Sequence, residues 1–285
     1  KGVTFATATE LGLSQEGDRV CVVVENAFGR IVLALNGAHL VSWVPAGRAD
    51  VLWLSPRSQM VTGKPIRGGI PLCTPWFGPG RDDLPLHGWG RITDWTVEAI
   101  TTAADGSTTL VVTLPASGAD PRGWSVDFDM RLAVTLGRDL GLAFTATNRA
   151  AETRPFEFAY HTYFAVGDVD AVSVDGLDGC RYIDRQNPGE GVQTGAARID
   201  HPMNRIYVDP PALQVLTSPA GTYRVESTSK AALIWNPGAG AATVPDLGEG
   251  THRGFVCLER IDAAVAAVEL APGASHSTDM VLSVL

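Results

Sequence analysis

Trp124-Ser-Val-Asp-Phe-Asp-Met-Arg-Leu-Ala-Val-Thr-Leu136 puts Trp124, Val126, Phe128, Met130, Leu132 and Val134 on one face and mostly polar or small residues on the other. A side-chain period of two marks a strand buried on one side, because successive Cβ atoms point to opposite faces of a sheet. Working outward, β-branched or alternating runs recur at 20–24, 31–35, 51–54, 94–100, 108–114, 140–148, 171–174, 222–227, 231–235, 254–259 and 265–270. Turn residues separate them, including Glu25-Asn26, Ala104-Asp105-Gly106 and Gly137-Arg138-Asp139; Asn36-Gly37 between two apolar runs predicts a hairpin. No amphipathic stretch of helical length intervenes. The reading is all-β, an antiparallel sandwich, with residues 1–285 forming a single domain.

Composition agrees. Of the 285 residues 45% are hydrophobic and 19% charged, enough apolar side chain for a packed core and too little charge for a disordered chain. The net charge of −9, without any Lys/Arg-rich run, excludes the electrostatic footprint of a nucleic-acid binder. No apolar stretch approaches the roughly 18–20 residues that span a bilayer, so no membrane partner is expected, and without a signal pattern the expectation is a cytoplasmic monomer. Residue 1 is Lys, not Met, so removal of an N-terminal segment stays open. Cys21, Cys73, Cys180 and Cys257 are too widely spaced for a Cys-x-x-Cys pair and read as free thiols. His39, His87, His161, His201, His252 and His276 are equally dispersed, so no metal site is expected.

Three stretches dense in Pro, Gly, aromatic and ionisable residues break the strand pattern, at 67–91, 155–168 and 235–259. Loops on a rigid sandwich concentrate binding residues. In the first, Arg67-Gly-Gly-Ile-Pro-Leu-Cys-Thr-Pro-Trp-Phe-Gly78 precedes His87-Gly-Trp-Gly-Arg91. Arg67, His87 and Arg91 are either solvated surface groups or cationic donors around one anion, with the paired glycines letting the backbone approach a ligand. In the second, His161 sits among aromatics in Phe156-Glu-Phe-Ala-Tyr-His-Thr-Tyr-Phe164, as a core histidine or a general acid. In the third, Glu259 ends the apolar run Gly254-Phe-Val-Cys-Leu-Glu259, as a solvated strand end or a base made stronger by desolvation. Trp235-Asn-Pro-Gly238 is a turn able to bring an indole to the same mouth.

Taken in order, Arg67-Gly-Gly-Ile-Pro-x-Cys-x-Pro-Trp-Phe-Gly78, His87-Gly-x-x-Arg91, His161-Thr-Tyr-Phe164, Trp235-Asn-Pro237 and Phe255-Val-Cys-x-Glu259 resemble the hexose-6-phosphate mutarotases, or glucose-6-phosphate 1-epimerases, of the galactose-mutarotase-like superfamily. The resemblance covers nearly the whole chain. It implies a β-supersandwich, no cofactor, a sugar or sugar phosphate as the small-molecule partner, and interconversion of its α and β anomers. It also implies Glu259 as base, His161 as acid, and Arg67, His87 and Arg91 as the polar lining. Asn204 stands where that family usually has Asp, which implies an amide contact to a sugar hydroxyl; Trp89-Gly90 replaces Phe-Ala, and no Lys follows Gly238.

The chemistry suits these residue types. Mutarotation needs a base for the anomeric hydroxyl and an acid for the ring oxygen, and nothing more. Competing readings are a mutarotase of another aldose, a non-catalytic carbohydrate-binding sandwich, and a glycoside hydrolase. The last needs a second carboxylate near Glu259, with Asp168 and Asp184 the candidates.

Overall fold

The computed structural model describes residues 2–14, 17–80, 84–119, 125–200 and 202–285. Among them all regular structure is strand or short 3₁₀ turn, every strand pairing is antiparallel, and no helix is long and apolar enough to cross a membrane. Trp124 and His201 lie outside the described residues.

Two large sheets carry the fold. One has nine strands, from 197–198 at one edge through 173–175, 213–218, 221–227, 275–284, 140–148, 128–136 and 108–114 to 96–102 at the other. The other has eight, running 189–192, 181–184, 203–208, 231–236, 255–262, 158–160 and 72–73, with 163–165 also paired to 255–262. A four-stranded sheet built from residues 2–45 flanks them.

The stretch that opened the sequence reading forms the nine-residue strand Phe128–Leu136, preceded by the short strand Ser125–Val126. Phe128, Met130, Leu132, Val134 and Leu136 are buried while Asp129 and Arg131 face outward. Leu136 pairs with Leu140, so Gly137-Arg138-Asp139 makes the hairpin loop that its composition predicts. Asn36-Gly37 likewise lies in the connection between Gly29–Ala34 and His39–Pro45. The outer surface of the nine-stranded sheet carries cross-strand hydroxyl pairs, Thr145 with Ser277 at 2.9 Å and Thr147 with Ser275 at 2.7 Å.

Three expected strands are shorter than their patterns, and of these the 171–174 run starts in the 3₁₀ turn Val169–Ala171 and becomes strand only at Ser173. The 51–54 run forms isolated bridges at Leu52 and Leu54 and not a continuous strand. The 265–270 run starts as a 3₁₀ turn, with Ala264 in left-handed conformation at φ 53°, and becomes strand only at Val268–Leu270.

One buried cluster reaches from Val22 to Leu282 between the large sheets. At its centre Phe144 of the nine-stranded sheet stacks on Phe158 of the eight-stranded sheet, with ring centroids 3.9 Å apart and an interplanar angle of 13°. Tyr160, fully buried, donates its hydroxyl proton across the same gap to the Thr278 carbonyl at 2.8 Å. These contacts fix the eight-stranded sheet against a rigid backing, so residues on its opposite face have defined positions. Phe144→Ala removes a ring that both sheets share. It should cost about 3–5 kcal/mol of unfolding free energy, read from the midpoint of urea denaturation at unchanged slope.

Candidate active site

Phe255–Asp262 is buried at every position, because it is flanked by Ala231–Asn236 on one side and by two short strands, Phe158–Tyr160 and Tyr163–Ala165, on the other. Tyr160 pairs with Arg260 and Tyr163 with Cys257. His161 and Thr162 therefore fill the break between the two short strands, opposite Glu259 and Leu258. The break is held by His161 N–H donating to the Pro71 carbonyl at 3.1 Å and Leu258 N–H to the Thr162 carbonyl at 3.2 Å. Register alone thus brings the two candidate acid–base residues together. His161 Nε2 is 3.2 Å from Glu259 Oε1.

Glu259 is thus not a strand-end solvent residue: it is 1% exposed and sits mid-strand. Its Oε2 and His161 Nδ1 have no protein partner. Burial drives the Glu259 carboxyl well above the usual carboxylate range. Burial, followed by the neighbouring His87, Arg67 and Arg91, drives His161 well below the usual imidazole range. The pair therefore tends to hold one proton and no net charge, and titrates as a unit.

Both residues line a cavity of about 440 Å³, with Arg67, His87, Arg185, Asn204, Phe77 and Trp235 among its walls. This falls within the size range of small-molecule sites, about 300–1,000 Å³. Arg67 is braced: its Nε donates to Asp246 Oδ1 at 3.1 Å and its Nη1 to the Tyr163 hydroxyl at 3.0 Å. Burial disfavours its charge, but Tyr163 and Asp246 more than compensate, so it stays firmly protonated. Tyr163 in turn stacks on the His161 ring at 4.9 Å and 13°. One tyrosine thereby fixes both the arginine and the imidazole.

His87 occupies the left-handed region at φ 62°, followed by Gly88 at 75°. Its N–H donates to the Gly78 carbonyl at 2.7 Å, and Gly78 N–H donates to His87 Nδ1 at 3.0 Å. With Nδ1 accepting, the proton sits on Nε2, so the ring is a neutral donor. Burial, then Arg91, Arg67 and Arg185, lowers its pKa to about 3.

Asn204 reaches the cavity from Met203–Val208, and its Oδ1 has no protein partner. Arg91 is not part of the lining. It is 8% exposed, and its Nη2 donates to the Leu86 carbonyl at 2.7 Å, steadying the segment that carries His87. The paired glycines differ from expectation too. Gly68 and Gly69 do have positive φ, but what they approach is other backbone: a Cβ on Gly69 would lie 2.3 Å from the Leu40 carbonyl oxygen. They pack the chain beside Arg67 closely against the backbone at Trp53–Leu54 and Leu40–Val41.

Neither candidate second carboxylate lines the cavity. Asp184 is taken by Arg205 at 3.0 Å and by the Gln186 and Asn187 N–H groups, and Asp168 caps a 3₁₀ turn. Glu259 is the sole carboxylate in the cavity wall among the described residues. The two-carboxylate geometry of a glycoside hydrolase is absent from it.

The family model described as aldose 1-epimerase matches residues 20–283. The chain belongs to the aldose 1-epimerase family. This aldose 1-epimerase-family chain is 34% identical over 264 residues to a Salmonella typhimurium protein named "Putative glucose-6-phosphate 1-epimerase", covering 89% of this chain and 86% of that one. An Escherichia coli protein of the same name is 35% identical over 249 residues, covering 84% and 81%. The crystal structure of a "putative mutarotase (YeaD)" from Salmonella typhimurium superposes with a TM-score of 0.85 at 31% identity, covering 94% of this chain and 90% of that one. The protein is an isomerase of the aldose 1-epimerase type, with a galactose-mutarotase-like fold and a small-molecule sugar as its partner.

Arg185 escaped the sequence reading because it stands in no motif. It stands in the turn just after Arg181–Asp184, the strand next to the one that bears Asn204, and its N–H donates to the Asn204 carbonyl at 2.7 Å. Gly88→Ala tests how tightly the His87 wall is set. The new Cβ would lie 1.9 Å from the Thr74 carbonyl oxygen at a φ of 75°. It should destabilise the protein by several kcal/mol, about 1–3 from backbone strain alone with the clash on top, seen as a lowered thermal midpoint. A midpoint matching wild type would show that the segment can relax.

Proposed function

We propose that the protein interconverts the α and β anomers of a hexose 6-phosphate, glucose 6-phosphate foremost, with Glu259 as base and His161 as acid. The observation that carries this reading is the 3.2 Å contact of His161 and Glu259 in a cavity that also presents the guanidinium groups of Arg67 and Arg185. The names of the Salmonella and Escherichia relatives support the same substrate.

The reaction starts from the ion-pair form of the couple. Glu259 takes the proton of the anomeric hydroxyl while His161 gives its proton to the ring oxygen; the bond from C1 to that oxygen breaks and the C1 carbonyl forms. Glu259 is then protonated and His161 neutral, the arrangement that burial of both groups favours. Rotation about C1–C2 presents the other carbonyl face. On reclosure the hydroxyl returns its proton to His161 and Glu259 protonates the carbonyl oxygen. No net proton is gained or lost, so one shared proton suffices for both directions.

Arg67 and Arg185 serve as the handle for the phosphate, and His87 Nε2–H and the Asn204 amide as contacts for sugar hydroxyls. A remote charged handle holds the ring in the reactive pose without taking part in bond breaking. Arg91 acts on the substrate through the segment it steadies.

Glu259→Gln and His161→Gln should each slow anomer exchange by about 10²–10⁴-fold, measured by saturation-transfer NMR on glucose 6-phosphate. Wild-type exchange in either folded variant overturns its role. Arg185→Ala should raise KM for glucose 6-phosphate by about 10- to 100-fold, the worth of a hydrogen bond between charged partners, with little change for unphosphorylated glucose. Equal effects on both sugars would remove the phosphate assignment.

The pH dependence follows from the shifts. The couple gains a second proton only below the ordinary imidazole range and loses its sole proton only above the ordinary carboxylate range. The rate should pass through a maximum and fall on both sides, the acid limb below pH 6.5, the unshifted imidazole value, and the alkaline limb above pH 4.5, the unshifted carboxyl value. An acid limb centred above 6.5 would contradict the desolvated pair.

A further inference from the structure

Cys257 takes no part in the chemistry above, yet it shares a sheet face with Glu259, two residues along Phe255–Asp262. Its cross-strand neighbours are Trp235 on one side and Tyr163 on the other, so the thiol is fully buried although the cavity begins beside it. The Cys257 sulfur, one Glu259 carboxylate oxygen and one His161 ring nitrogen all lie within 4.8 Å of one another. Sequence spacing hides this group, since His161 comes from a different strand segment nearly a hundred positions earlier.

We propose that His161, Cys257 and Glu259 form a binding site for a thiophilic divalent cation of the Zn²⁺ type, and that the ion, once bound, shuts the enzyme off. Zinc takes nitrogen at about 2.0–2.1 Å, carboxylate oxygen at about 2.0–2.2 Å and thiolate sulfur at about 2.3 Å, which places tetrahedral ligand atoms roughly 3.3–3.6 Å apart. His161 Nε2 and Glu259 Oε1, at 3.2 Å, are within about 0.1 Å of that spacing. The sulfur, no more than 4.8 Å from either, needs to close by about 1.5 Å at most. Glu259 Oε2, buried and without a protein partner, is a free donor at the same point. The cavity supplies the fourth position for water, as open three-ligand zinc sites require. As the metal binds, two protons leave to solvent, one from the thiol as the metal–sulfur bond forms and the one shared by His161 and Glu259, whose lone pairs the ion takes.

The cation occupies the lone pairs that the acid–base couple uses, so the ion and a reacting sugar exclude one another. Nitrogen and sulfur ligands select against Mg²⁺ and Ca²⁺, which prefer all-oxygen sites. The inhibition half of the proposal rests on the assignment of His161 and Glu259 to catalysis; the binding half does not.

The test therefore reads both. Co²⁺, a spectroscopic stand-in for zinc, should give a thiolate-to-metal charge-transfer band with the wild-type chain, abolished by Cys257→Ala and displaced by Zn²⁺. In saturation-transfer NMR on glucose 6-phosphate, Zn²⁺ should stop exchange reversibly, with full recovery on adding a chelator, while Mg²⁺ has no effect. Cys257→Ala should keep basal exchange and need at least about 10- to 100-fold more Zn²⁺ for half inhibition, the scale on which even outer-ligand losses weaken metal sites. If Cys257→Ala does not fold, loss of the cobalt band in His161→Ala decides the site. Absence of the band in wild type, or equal zinc sensitivity of Cys257→Ala, overturns the proposal. A band without inhibition leaves the metal site standing and counts against the catalytic assignment instead.

Discussion

Burying a carboxylate in the middle of a strand is the constraint on which the site depends. Glu259 sits within a strand with no exposed residue, and a charge there is costly unless something nearby shares its proton. His161 does so at 3.2 Å. Desolvation pushes the two pKa values in opposite senses, and the result is a couple that is electrically neutral as a whole yet able to pass a proton at either end. A solvated pair of the same residues would titrate separately, the carboxyl at about 4.3 and the imidazole at about 6.5, and lose the coupling.

Keeping such a couple in register requires a stiff frame. The Phe144–Phe158 stack and the Tyr160–Thr278 hydrogen bond hold the eight-stranded sheet from behind. From the cavity side, Tyr163 joins Arg67 to the His161 ring, and Asp246 holds the other edge of that guanidinium. Arg67 is thereby positioned by partners from two distant parts of the chain. Buried polar groups placed this way form connected networks, and each brace also satisfies a donor that would otherwise be stranded.

Much of this was legible in the sequence. Period-two alternation is a local signal, and Phe128–Leu136 and Leu140–Asn148 carry it without interruption, so the all-β reading followed directly. The segments 51–54 and 265–270 misled because β-branched composition does not supply a neighbouring strand. His161, Glu259, Arg67, His87 and Asn204 come from motif-bearing segments and meet in one cavity, although alternation by itself left Glu259 looking like a strand end. Arg185 and the nearness of Cys257 to His161 were out of reach, because both depend on which strands lie side by side. Arg91 shows the reverse: its motif is prominent, yet it stands outside the cavity lining, with Nη2 donating to the Leu86 carbonyl.

The two hydrogen bonds between Gly78 and His87 close the chain at the base of the segment between them. Pro79, Leu86 and His87 all line the cavity. His87 is tied twice to one residue, through its own backbone N–H to the Gly78 carbonyl and through Nδ1 from the Gly78 N–H. A ring tied to main-chain groups takes its direction from backbone geometry, which exchanging a neighbouring side chain alters little.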